Sequence, residues 1–193
     1  MSARMVLLGP PGAGKGTQAA RIGERLGIPA ISTGDIFRAH VAGSTELGRR
    51  ARAYMDRGEY VPDSVTNAMV ADRLAEDDAA SGFLLDGYPR TADQVDALER
   101  MLSERGEALD VVVEITADAD AVVERLLGRA AEQGRADDTE PVIRRRLEVY
   151  AEATAPLAAI YEDQGLLLRV DGMGGIDEVT DRIMAALAAR LSV

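Results

Sequence analysis

An apolar run, Met5-Val6-Leu7-Leu8, leads straight into Gly9-Pro10-Pro11-Gly12-Ala13-Gly14-Lys15-Gly16-Thr17, and a helical pattern begins at once. Strand, glycine-rich turn and helix in that order commit the chain to a tight β–loop–α unit. Glycines at 9, 12, 14 and 16 can take backbone conformations closed to other residues and bring N–H groups against an anion. The helix N-terminus adds partial positive charge, so the loop has the make-up of a phosphate cradle in which Lys15 reaches the terminal phosphates. Composition sharpens this reading: of the 22 basic side chains Lys15 is the only lysine, and all the others are arginine. A cradle of backbone amides accepts a compact ammonium where a planar guanidinium fork would not fit. A glycine-rich turn without a ligand is the alternative. The general pattern of such loops has Ser or Thr directly after the lysine. Here Gly16 intervenes, so Thr17 is expected to meet a magnesium ion through water.

The rest of the chain alternates short apolar runs with amphipathic stretches, the pattern of a parallel sheet with crossover helices. Buried strands are predicted at 5–8, 30–32, 83–85, 111–115 and 166–170, and helices at 16–26, 34–41, 46–57, 64–75, 92–105, 119–127, 142–164 and 177–191. Pro156 falls inside the long segment 142–164 and should kink or split it. With 193 residues, 47% of them hydrophobic, the chain can bury one sizeable core. The expectation is a single α/β domain of three layers, a five-stranded parallel sheet with helices on both faces. Its core comprises residues 1–32, 62–128 and 139–193, with excursions at 33–61 and at the polar stretch 129–138.

The formal net charge of −11 argues against a general nucleic-acid or anionic-membrane binder, which needs surplus positive charge. A local arginine cluster can still serve a ligand with few phosphates. There is no cysteine, so no disulfide or thiolate metal site is expected. No segment approaches membrane-spanning length, and the N-terminal apolar run is too short for a signal peptide. The expected setting is the cytoplasm. A guanine-nucleotide switch is excluded, because its Asn-Lys-x-Asp base-reading segment needs a second lysine.

Two further features carry chemistry. Phe83-Leu84-Leu85 ends in Asp86, which places a carboxylate at a strand's carboxyl edge, where α/β sheets bind ligands and where a carboxylate beside a phosphate loop can hold Mg²⁺ directly or through water. Gly87 frees the following turn, Pro89 stiffens it, and Arg90 is aimed at the cleft; an ordinary strand-to-helix turn is the alternative. In the helix after Asp137-Asp138, Ile143, Leu147, Tyr150 and Leu157 form an apolar stripe on which Arg146 falls, whereas Arg144 and Arg145 fall off it. An inward arginine needs an anionic partner, either a ligand or an acidic side chain such as Asp137 or Asp138. His40, the single histidine, reads as a surface or packing residue.

Taken together, Gly12-Ala13-Gly14-Lys15-Gly16-Thr17-Gln18, Ile31-Ser32-Thr33-Gly34-Asp35, Phe83-Leu84-Leu85-Asp86-Gly87-Tyr88-Pro89-Arg90, Gly134-Arg135-Ala136-Asp137-Asp138 and Thr154-Ala155-Pro156-Leu157 resemble the adenylate kinase family of P-loop enzymes. The resemblance implies transfer of the γ-phosphoryl group of magnesium-ATP to AMP, giving two ADP, with no zinc; nothing in the sequence suggests an obligate interface, and a monomer is the simpler expectation. It implies that ATP lies on Gly12, Ala13, Gly14, Lys15, Gly16 and Thr17, with Arg129 and Gly174 also touching it. AMP would meet Thr33, Gly34, Arg38, Glu59, Tyr60, Val61, Gly87, Tyr88, Pro89, Arg90, Gln94, Arg135 and Arg146. Arg38 and Arg90 would hold the AMP phosphate; Arg129, Arg135 and Arg146 would surround the transferring group. Thr33 and Gln94 stand where AMP-specific members address the adenine edge, which favours AMP over UMP or CMP. A Gly-rich strand-to-helix turn is the alternative for Gly174. Residues 129–138 correspond to a short lid.

Overall fold

In a computed structural model the structure describes residues 3–133 and 139–191, the side chains of 129–133 excepted. The predicted run at the N-terminus is strand β1 (Arg4–Leu8), and the glycine loop leads into α1 (Lys15–Leu26). There follow β2 (Ala30–Ser32), α2 (Thr33–Ala42), α3 (Glu46–Met55), α4 (Asp63–Leu74), β3 (Phe83–Asp86), α5 (Ala92–Ser103) and β4 (Val111–Thr116). The chain then forms α6 (Ala119–Gln133), α7 (Glu140–Val149), α8 (Leu157–Asp163), β5 (Leu167–Asp171) and α9 (Ile176–Leu191).

The five strands pair in parallel in the order β2-β3-β1-β4-β5. β1 is central because its apolar run is buried on both faces, as a strand covered from both sides must be. Val6 and Leu8 point into one core with Val70, Leu74, Leu98, Leu157 and Tyr161, from α4, α5 and α8. Met5 and Leu7 point into the other, with Ile22 of α1 and Val179, Ile183 and Leu187 of α9. The result is the expected three-layer sandwich. Leu84 and Leu85 are 0% exposed, and cutting such a side chain back to alanine costs about 2–5 kcal/mol. Registers Leu7↔Asp86 and Ser32↔Asp86 align the carboxyl ends of β1, β2 and β3 at one edge, where connections diverge to either side of β1 and leave a crevice.

One helix runs well past its expected end, and one long segment divides as expected. α6 continues past the predicted end at 127 as far as Gln133, because Arg129-Ala130-Ala131-Glu132-Gln133 are all good helix formers. The segment 142–164 is divided, as Pro156 foretold. Pro156 offers no N–H, and a wide turn at Tyr150–Thr154 replaces α-helix just before it, with Ala155 N–H reaching Tyr150 O at 2.8 Å. α6 and α7 share a small apolar cluster of their own, Val122, Leu126 and Ile143.

Candidate active site

A cleft of about 770 Å³ opens at the carboxyl ends of β1 and β3. The glycine loop forms its floor. Gly12 has φ +87°, and a Cβ there would stand 2.8 Å from Val122 O and 2.9 Å from Leu126 Cγ, so the loop rests directly on α6 and only glycine fits. Lys15 Nζ folds over the loop and donates to Gly9 O at 2.7 Å and Pro10 O at 2.9 Å. α2, α3 and α5 begin with side-chain caps from Ser32, Thr45 and Thr91. α1 begins at left-handed Gly14 with neither a capping side chain nor an acid in its first turn among the described residues. Its leading N–H groups and partial positive charge therefore face the cleft, the arrangement that binds phosphate. Asp86, 9% exposed at the end of β3, turns its carboxylate toward this helix start. A Cβ on Gly16 would lie 3.6 Å from Asp86 Oδ2.

The opposite wall is built on the turn after β3. Gly87 has φ +80°, and a Cβ would meet Thr33 Oγ1 and Arg90 Nη2 at 2.8 Å; Thr33 Oγ1 donates to Gly87 O at 2.8 Å. Arg90 is fixed on several sides. Its Nε donates to Gly87 O at 2.7 Å, its main-chain N–H donates to Gln94 Oε1 at 2.7 Å, and its guanidinium lies 4.8 Å from the centre of the Tyr60 ring. Arg38 pairs with Asp35 and folds over Gly34. Arg146 is half-buried and borders the cleft, while Arg144 and Arg145 are exposed and pair with Glu140 and Glu148 on their own helix. A smaller recess of about 60 Å³ continues from this wall, bounded by Thr33, Phe37, Glu59, Val61, Thr66 and Gln94. Hydrogen bonding from Arg57 holds the Glu59 carboxyl below the usual carboxylate range.

The cleft thus brings together Gly12, Ala13, Gly14, Lys15, Gly16, Thr17, Gly34, Arg38, Tyr60, Asp86, Gly87, Pro89, Arg90, Arg146 and Gly174. Thr33, Glu59, Val61 and Gln94 line the recess. Tyr88 is the exception. Its side chain is 0% exposed and its hydroxyl donates to Asn67 Oδ1 at 2.8 Å. The ring braces the turn from behind, because a large aromatic beside a continuous apolar core is drawn inward; burial pushes its phenol pKa up. The Arg129 side chain, Arg135, Asp137 and Asp138 lie outside the described residues. His40 is half-buried, with Nδ1 2.9 Å from Thr45 Oγ1 at the α2–α3 turn, as a packing residue.

The sequence alone assigns no role to Arg125 of the cleft or to Asp63, which holds Gln94, and names Thr154 only within the stretch Thr154-Ala155-Pro156-Leu157. Arg125 of α6 borders the cleft and donates to Gly172 O at 3.2 Å; its signal was its place one helical turn before Arg129. Thr154 donates to Arg90 O at 2.8 Å and lies 2.7 Å from the Tyr60 hydroxyl. Asp63, at the start of α4, accepts from both Thr91 and Gln94. No local pattern marks Asp63 or says which groups Thr154 meets, since their partners lie far along the chain.

Comparison with known proteins agrees with this geometry. The family model described as adenylate kinase matches residues 7–166. An adenylate kinase of Kocuria rhizophila is 66% identical over 95% of this chain and 98% of its own length. That of Pseudarthrobacter chlorophenolicus is 62% identical over 96% of this chain and 97% of its own. That of Thermobifida fusca is 58% identical over 97% and 99%. With a phosphate loop, an arginine-lined wall opposite it and such kinship along nearly its whole length, the chain belongs to the adenylate kinase family.

Proposed function

We propose that this adenylate kinase, which transfers the γ-phosphoryl group of ATP to AMP and yields two ADP, holds ATP along loop residues 12–17 and AMP against Arg38, Arg90 and the recess beside them. The observation that carries the assignment is the meeting of an uncapped helix start and Lys15 with Arg38, Arg90 and Arg146 in one cleft. Two nucleotides bring much negative charge to one place, and phosphoryl transfer asks the protein for positioned cations and alignment more than for covalent chemistry. Lys15 leaves its loop carbonyls for the β- and γ-phosphate oxygens. Arg38 and Arg90 fix the AMP phosphate, and Arg146, with Arg129 and Arg135 from the stretch 129–138, balances charge on the group in flight. No proton-abstracting base is required, because a phosphate monoester is already largely ionised at neutral pH.

Asp86 suits a hard cation: its carboxylate is an oxygen donor at a strand end, turned toward the start of α1. Asp86, together with Thr17 through water, would hold the Mg²⁺ that accompanies ATP. That ion, when bound, neutralises phosphate oxygens. The reading has no role for zinc. Among the described residues no three or more His, Cys, Asp or Glu side chains group as a metal cluster. Thr33 and Gln94 address the adenine of AMP, Glu59, Tyr60 and Val61 pack beside it, and Gly174 and Arg125 lie toward the ATP base. The segments 33–61 and 129–138 act as flaps that exclude water, since hydrolysis is the competing reaction. No described helix is long and apolar enough to cross a membrane; a cytoplasmic monomer completes the proposal.

The test is ADP disproportionation with and without magnesium, on Lys15→Ala and Arg90→Ala. Each variant is expected to keep its fold by circular dichroism and to lose about 10²–10³-fold in turnover, the scale of one transition-state electrostatic contact. Wild-type rates from either would overturn that residue's role. Failure of diadenosine pentaphosphate to bridge loop and Arg90 turn would overturn the whole placement.

A further inference from the structure

Gln94 is 1% exposed, yet it borders the recess beside Arg90. A side-chain amide has two oxygen lone pairs and two N–H donors. One lone pair of Gln94 Oε1 accepts the Arg90 main-chain N–H at 2.7 Å, and one N–H of Nε2 goes to Asp63 Oδ1 at 2.7 Å. One acceptor site and one donor site of the amide carry no further hydrogen bond among the described residues and remain available at the edge of the recess.

Which ligand edge fits depends on the amide's orientation. A half-turn about its last torsion exchanges oxygen and nitrogen, so an unrestrained glutamine can match a 6-aminopurine, with N1 accepting and the amino group donating, or a 6-oxopurine, with N1–H donating and O6 accepting. Here both anchors oppose the half-turn. It would set NH₂ against the Arg90 N–H, donor facing donor, and oxygen against the Asp63 carboxylate, acceptor facing acceptor. The main-chain N–H is present at that position whatever the side chain of residue 90. The removable part of the lock is Asp63. That carboxylate is itself held, with Oδ2 accepting from Thr91 Oγ1 at 2.8 Å, and it lies in the first turn of α4, where the helix dipole favours negative charge.

We infer that Asp63 is a positioning residue that fixes Gln94 in one orientation and thereby makes the acceptor site select 6-aminopurine over 6-oxopurine monophosphates. This rests on the proposed reading that Gln94 faces the base of the acceptor nucleotide.

Steady-state kinetics with AMP and IMP, which differ at the N1/C6 edge alone, test it on the full-length enzyme. Asp63→Asn keeps size but lets residue 63 present either a donor or an acceptor. The ratio of kcat/KM for AMP to that for IMP is expected to fall by about tenfold or more, the scale of one mispaired buried hydrogen bond. KM for ATP should hold, and Asp63→Glu should restore part of the ratio. The Gln94 side-chain NH₂ resonances should form one sharp pair in wild type and broaden or double in Asp63→Asn, a readout that simple loss of stability does not produce. An unchanged ratio in a folded Asp63→Asn overturns the inference. Gln94→Leu separates the two levels: if it collapses the ratio while Asp63→Asn does not, Asp63 alone is wrong; if it leaves the ratio intact, Gln94 does not read the base and the underlying assignment fails.

Discussion

On the loop side of the cleft the surface proposed to hold phosphate is main chain. Residues 9–17 offer the leading N–H groups of α1, and a single ammonium bends over its own carbonyls at 2.7 and 2.9 Å. On the opposite side the surface is side chain. Arg90 is held by Gly87 O, Gln94 and the Tyr60 ring, Arg38 by Asp35, and Gln94 by Asp63. The first surface is contiguous in sequence, and its shape rests on positive-φ glycines and on the contact of Gly12 with α6. The second is assembled from α2, the segment before α4, the β3 turn and the turn before α8, so its geometry depends on many partners at once. A main-chain cradle tolerates little change of shape; a side-chain network should lose function in graded steps.

The largest effect should come from Lys15→Arg, which keeps the charge and changes only its shape. The ammonium sits within hydrogen-bond reach of two carbonyls of its own loop, and a planar fork there must displace the loop. The variant is expected to lose about 10²–10³-fold in kcat, as much as Lys15→Ala. Retention of even a tenth of wild-type turnover would mean that charge, and not the shape of the cradle, governs the loop side.

Next in size is Arg146→Ala compared with Arg144→Ala, two residues apart on α7. Arg146 borders both the cleft and the recess, whereas Arg144 pairs in solvent with Glu140. Arg146→Ala should cost about a hundredfold in kcat, the lower end of what a transition-state electrostatic contact supplies. Arg144→Ala should change activity less than about twofold and stability by under about 0.5 kcal/mol. Equal effects from the two would show that the apolar stripe does not aim Arg146 at the chemistry.

The same contrast explains what could be read from the chain without its structure. The loop, the strand ending in Asp86 and the inward setting of Arg146 were legible because each is a local pattern: a glycine spacing, an apolar run with a terminal carboxylate, a helical periodicity. The sheet followed from alternating apolar runs. The partners of Thr154 and Asp63 were not legible, since the bonds span 64 residues to Arg90 and 31 to Gln94. The inward setting of the Tyr88 side chain was not legible for a related reason. The motif around it marks a turn but does not say which of its side chains faces the core. The end of α6 was set too early, where helix-forming residues outweighed the polar character read as loop.

The smallest effect, and the one that best probes the network, is Tyr60→Phe. Thr154 Oγ1 has one proton, and it goes to Arg90 O at 2.8 Å; the 2.7 Å contact with Tyr60 must therefore carry the tyrosine proton, giving a chain from Tyr60 through Thr154 to the Arg90 carbonyl. Removing the hydroxyl keeps the ring over the Arg90 guanidinium, 4.8 Å away, and deletes only the link between the excursion and the turn before α8. A net hydrogen bond of about 1 kcal/mol corresponds to a rise of about fivefold in KM for AMP, with KM for ATP unmoved. Tyr60→Leu should add the loss of the ring contact, roughly another 0.5–2 kcal/mol. If the link acts through Thr154, then Thr154→Val in the Tyr60→Phe background should add little beyond its own loss of the Arg90 bond, so the double variant falls short of the sum of the singles. Full additivity would mean that the excursion and the Arg90 turn are held separately, and the acceptor side would be two independent contacts instead of one network.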